Sequence, residues 1–250
     1  MSMPELTISM PQPAPLTAVR VALAVAYGFL CVGGIVSYAF MGGPPDAMAW
    51  TAAAFLALAG ALVLAYTPVS QWRGPLTAAT IGFASEIAGV AFGLPYGQYE
   101  YTPVLGPAWL GVPLVLTCAW LVLAAHVRGA MQAWRVSPWA QPFVGALWMT
   151  ALDLVIDPLA AGPLDYWRWS AGGVYFGIPA SNFAGWFVVS LAIFAATPAS
   201  WKPSRPLVWL GASVMIFFAL LALLMGFAWL GLLGLALAAL SLGARSMARE

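Results

Sequence analysis

Eight apolar runs of about twenty residues, most of them closed by Gly or Pro, leave this chain few ways to fold. A run of that length crosses the hydrocarbon of a bilayer as a helix, which satisfies its own backbone hydrogen bonds. The runs cover about 16–41, 46–67, 76–94, 109–127, 138–161, 181–197, 207–225 and 227–243. Gly42-Gly43-Pro44-Pro45 ends the first and Pro68 the second. A soluble domain of this size needs a charged surface, yet only 7% of the residues are charged and 63% are hydrophobic. The runs are continuous rather than alternating, which excludes a membrane β-barrel. The expected fold is all-α: a polytopic integral membrane bundle of about eight transmembrane helices, or seven if the last two runs are one. A single transmembrane domain over 16–243 then lies between a disordered Pro-rich N-terminal tail, 1–15, and a short basic C-terminal tail, 244–250. No basic segment leads the N-terminal tail, so a cleaved signal is not expected.

Basic residues set the orientation. With the N-terminus inside, the inner loops and tail collect Arg73, Arg128, Arg135, Lys202, Arg205, Arg245 and Arg249, and the outer loops hold only Arg168. Merging the last two runs would put Arg245 and Arg249 outside, so eight spans with both termini cytoplasmic is the preferred reading. A multi-pass protein of the cytoplasmic membrane follows. The net charge of +1 offers nothing to nucleic acid. Cys31 and Cys118 lie in apolar runs without metal-type spacing and read as small core residues. His126, at the inner end of its span beside Arg128, reads as interfacial. There is no H-E-x-x-H, G-x-S-x-G or Gly-rich phosphate loop, so metal, nucleotide and serine-hydrolase chemistry have no support.

What remains is a set of acids where acids are costly. Asp153 and Asp157 stand four apart, on one face of an apolar helix, and Glu86 lies mid-span in A-S-E-I-A-G. At 1.5 Å per residue, Glu86 is about 17 Å and Asp153 about 22 Å from the inner ends of their spans. The acids therefore converge in the outer half of the bilayer. Two carboxyls on one face of a low-dielectric helix do not both ionise cheaply, so one is expected to hold a proton. A plainer reading makes Glu86 an interhelical hydrogen-bonding group, with Asp153 and Asp157 satisfying backbone loosened by Pro158. Tyr96, Tyr99, Tyr101, Tyr166, Trp167 and Trp169 gather nearby, as do Trp148, Tyr175, Phe176, Phe183 and Trp186. Such rings line a pocket for a long apolar ligand or stabilise a cation. Phe92-Gly93-Leu94-Pro95 is echoed by Phe176-Gly177-Ile178-Pro179, placing a Gly-Pro break twice at one mouth.

The strings A-L-D-L-V-I-D-P-L-A, W-R-W, G-G-V-Y-F-G-I-P-A-S-N-F-A-G-W and E-I-A-G-V-A-F-G-L-P-Y-G-Q-Y-E-Y resemble the carotenoid biosynthesis membrane proteins of the carotenoid 1,2-hydratase (CruF) type. Archaeal-type hydratases of longer precursors, the bisanhydrobacterioruberin hydratases, look similar. The resemblance covers about 81–188 and continues elsewhere only by hydropathy. It implies addition of water across the terminal C1=C2 bond of an acyclic ψ-end carotenoid, of lycopene or γ-carotene type, without an organic cofactor. The implied product is a tertiary 1-hydroxy carotenoid. The implied partners are the lipid-borne carotenoid, water and membrane lipid, with other carotenoid-pathway enzymes as candidates. Markovnikov hydration needs a proton donor, tolerance of a tertiary cation and one placed water. Asp153 or Glu86 is the expected donor, Asp157 its partner in orienting water, and Asn182 with Tyr175 the water holders. Tyr96, Tyr99, Trp148, Trp167, Trp169, Phe176, Phe183 and Trp186 are the expected pocket wall. Two rival classes use the same residues differently. A proton-coupled carrier of a small solute would use the carboxyls as a relay, and a non-catalytic pigment or quinone binder would use only the rings.

Overall fold

The computed structural model describes residues 15–243, and among them are eight α-helices. They are α1 (Pro15–Met41), α2 (Trp50–Tyr66), α3 (Arg73–Phe92), α4 (Leu116–Ala133), α5 (Gln141–Ala160), α6 (Ala180–Ala196), α7 (Arg205–Leu224) and α8 (Ala228–Gly243). Five are long and apolar enough to cross a membrane, and α6 and α8 are shorter apolar helices. The protein is an all-α polytopic membrane bundle. Gly226, with φ of 85°, breaks the chain between α7 and α8, so the last two runs are separate helices. The two tails read from the sequence lie outside the described residues except for Pro15, which begins α1.

Loop contacts fix which end of each helix is which. The α3–α4 and α5–α6 loops pair with each other, Phe227 between α7 and α8 packs on Phe176, and Pro44 between α1 and α2 lines a cavity with Tyr166. These loops form one end of the bundle, here called the capped end. At the other end Lys202 N, before α7, donates to Gln71 Oε1, before α3. Trp134 Nε1, after α4, donates to Leu240 O near the end of α8. Successive helices thus alternate in direction.

The fourth span departs from expectation. The segment from 109 is not yet helical: Leu110 and Gly111, with φ of 52° and 82°, turn a small hairpin of β2 (Ala108–Trp109) and β3 (Val112–Pro113). The helix starts at Leu116 and runs on through the supposed basic loop to Ala133. Hydropathy misplaced it because α4 is the central helix, enclosed by α2, α3, α5 and α7, and needs no lipid-facing side. Its residues from Trp120 to Met131 are all buried. Arg128 is therefore inside, with Nη2 donating to Pro198 O at 3.2 Å. His126 is likewise not interfacial. It is fully buried against α7, with Nδ1 2.9 Å from Val208 O. Gly211 makes the room, since a Cβ there would lie 2.2 Å from His126 Cβ.

Candidate active site

Two three-residue strands close the capped end. β1 (Tyr99–Tyr101) pairs antiparallel with β4 (Trp167–Trp169), Tyr99 opposite Trp169, Glu100 opposite Arg168 and Tyr101 opposite Trp167. Side chains alternate across a strand, so the four rings point inward while Glu100 and Arg168 face out. The exposed Arg168 also grips Asp165 with two hydrogen bonds, at 2.8 and 2.6 Å, which hold the Asp165 carboxyl below the usual carboxylate range. Beneath this ribbon lies a cavity of about 90 Å³. That is several times the space a single water needs.

Its wall is apolar and aromatic apart from a few groups set at its acidic end. Glu86, from the middle of α3, is 6% exposed and accepts three hydrogen bonds. Tyr99 Oη and Tyr101 Oη donate to Oε2 at 2.5 and 2.8 Å, and Trp120 Nε1 from α4 donates to Oε1 at 3.2 Å. Two of these donors hang from the ribbon, so the cap and the acid hold each other. Asp157, from α5, accepts from Trp167 Nε1 through Oδ1 at 2.8 Å and from Asn182 Nδ2 through Oδ2 at 2.7 Å. The same Asn182 amide donates to Asp153 Oδ2 at 2.8 Å, so one side chain of α6 ties both α5 acids together. Asp153 Oδ1 and Trp169 Nε1 are buried without a hydrogen-bond partner.

The residues expected at the site divide into two groups. Glu86, Asp157, Asn182, Tyr96, Tyr99, Trp167, Trp169 and Trp186 line the cavity. Asp153 sits behind Asn182, one shell back from it. Tyr175 is elsewhere: its hydroxyl donates to Leu154 O at 2.7 Å and its ring packs on Phe176, Phe183 and Trp229. Phe176 and Phe183 go with it, outside the cavity wall. Trp148 lies against Trp134, near the opposite end. Trp120 had escaped notice on the sequence, although an indole N–H in mid-span needs an acceptor. It also stacks on Trp186, with ring centroids 4.6 Å apart. The F-G-x-P echo proves spatial: Gly93 and Gly177 both take left-handed φ, and Ser181 Oγ donates to Tyr96 O at 2.8 Å across the two loops. No group of three or more His, Cys, Asp or Glu suited to a metal ion occurs among the described residues.

Buried acids thus face an apolar, ring-lined cavity beneath a two-stranded cap in a helical membrane protein. Residues 24–247 match the family model described as carotenoid biosynthesis protein, and the chain belongs to that family. Over 116 residues it is 31% identical to the bisanhydrobacterioruberin hydratase of Haloarcula japonica, a match spanning 42% of this chain and 37% of that protein. No solved structure matches the chain.

Proposed function

We propose that the protein is a carotenoid hydratase, adding water across the terminal C1=C2 bond of an acyclic ψ-end carotenoid to give a tertiary 1-hydroxy product. The observation that carries this reading is the pair of carboxyl groups, Glu86 and Asp157, on the wall of an otherwise apolar and aromatic cavity. The family and the partial likeness to a hydratase support the reaction class.

The donor roles follow from who touches the cavity. Asp157 does and Asp153 does not, so Asp157 is assigned the delivery of the proton, with Asp153 as its positioning partner through Asn182. Protonation of C2 leaves a tertiary cation at C1. The rings of Trp167, Trp169 and Trp186 on the cavity wall are assigned its stabilisation, and the apolar wall limits water to the acidic end. Glu86, fixed by three donors, orients a water toward C1 and takes the proton that water loses as its oxygen bonds to carbon. That proton replaces, on product release, the one Asp157 gave, so no redox partner is required. Tyr175 is assigned no part in holding water.

Expression in a host that accumulates lycopene and γ-carotene, with chromatography and mass spectrometry of the pigments, tests the reading. A product heavier by one water is expected from the wild type. Asp157→Asn and Glu86→Gln are each expected to lower its yield by about a hundredfold or more. Full yield from both variants would end the assignment.

A further inference from the structure

A second cavity, of about 60 Å³, lies beside the first between α1, α2 and α7. Leu56, Tyr166 and Phe218 line both cavities and form the partition between them. On its far side the second cavity is walled by Leu30, Gly34 and Tyr38, one face of α1 at i, i+4 and i+8. The rest of α1 looks outward: only 6% of its apolar span is buried, with Phe29 and Val36 exposed. Gly34 lets α1 approach α7 closely, with Phe217 2.9 Å from where a Cβ would stand. On that partition Tyr166 is hydrogen-bonded through its backbone, its N donating to Ala160 O and its O accepting from Thr102 N.

We infer that this second cavity is the chamber for the polyene tail of the substrate, entered from the lipid side past α1. The inference rests on the hydratase reading for what sits in the first cavity. A conjugated polyene is a stiff rod, so an end group seated at Glu86 and Asp157 obliges the remaining chain to leave the acid cavity along an apolar path. The adjoining chamber is lined by Leu30, Phe55, Phe217 and the partition of one leucine and two aromatic rings, and it leads to a helix whose outer face is exposed and apolar. Leu56, Tyr166 and Phe218 then form the throat through which the chain passes.

Photo-crosslinking tests this without relying on turnover. A benzophenone side chain is introduced at position 30, facing the second cavity, or at position 36 on the opposite face of the same helix, in cells accumulating lycopene. After illumination, intact-mass analysis is expected to show an adduct of the protein with lycopene or its hydrated form at position 30, about tenfold above position 36. No adduct at position 30, or equal adducts at both, would overturn the tail chamber. Leu30→Trp, which fills the chamber from α1, is expected to lower lycopene hydration by about tenfold, and unchanged hydration by that variant would also count against it. The two readings fail separately. An adduct at position 30 without any hydrated product removes the hydratase and keeps the chamber, whereas hydration without the adduct does the reverse.

Discussion

Asn182 shows how single side chains set the chemistry. Its amide has two N–H bonds and gives one to each of two carboxyls, so its removal leaves Asp153 and Asp157 buried without that shared donor. Asn182→Ala is expected to abolish hydration and to lower stability by about 1–3 kcal/mol, read as a lower unfolding temperature in detergent. Asn182→Asp, which adds a third acid, is expected to be no better. Glu86 depends on donors from three places, and Tyr99→Phe with Trp120→Phe tests them. Each removes one bond to the Glu86 carboxyl group and is expected to cost about tenfold in rate, with the protein still folded. Wild-type rates in both would detach Glu86 from the reaction. Asp165, by contrast, pairs with Arg168 in the open. Its folded pKa is depressed, so the contribution of the pair is present above the ordinary carboxylate range and is lost as pH falls through that lowered value. Both partners are solvent-exposed, and Asp165→Asn is expected to leave hydration unchanged at neutral pH. The Asp153–Asp157 pairing was legible because i,i+4 spacing is a local rule. Trp120 was not, since 34 residues separate it from the carboxylate it serves. Which α5 acid meets the cavity depends on helix rotation, and that is set by neighbours the sequence does not name.

At the scale of elements, the helices were readable and their caps were not. Seven of the eight spans begin and end within a few residues of the apolar runs, because hydrocarbon demands closed backbone hydrogen bonding over a fixed thickness. The exception, α4, is enclosed by protein, and hydropathy carries no information about a helix that meets no lipid. The ribbon of β1 and β4 was hidden for another reason. Y-E-Y and W-R-W do alternate, but three residues are too few to announce a strand, and their pairing joins segments 68 residues apart in register. Close helix packing feeds directly into the site. A Cβ on Gly82 of α3 would come 2.3 Å from the Trp120 ring, which donates to Glu86. Gly82→Ala is therefore expected to displace that indole, slowing hydration and lowering the unfolding temperature by an overpacking cost of about 1–3 kcal/mol. Unaltered stability and rate would mean that α3 and α4 can separate freely.

For the molecule as a whole, charge and chemistry point in opposite directions. The acid cavity and the aromatic ribbon occupy the capped end, and Arg73, Lys202 and Arg205 lie at the other. By the positive-inside rule we propose that the capped end faces away from the cytoplasm. Reporter fusions to the C-terminus are expected to show cytoplasmic activity, and a periplasm-type signal there would reverse the orientation. A cavity at the capped end suits the proposed substrate, which stays in the lipid, and a reaction that consumes one water. The measurement that reaches this claim most directly is hydration by the membrane-embedded protein in deuterated, heavy-oxygen water, with mass spectrometry of the pigment. One deuterium at C2 and one heavy oxygen at C1, both absent with Asp157→Asn, is the expected result. Pigment that gains no label from solvent, or gains it equally with Asp157→Asn, would contradict acid-catalysed hydration at this site.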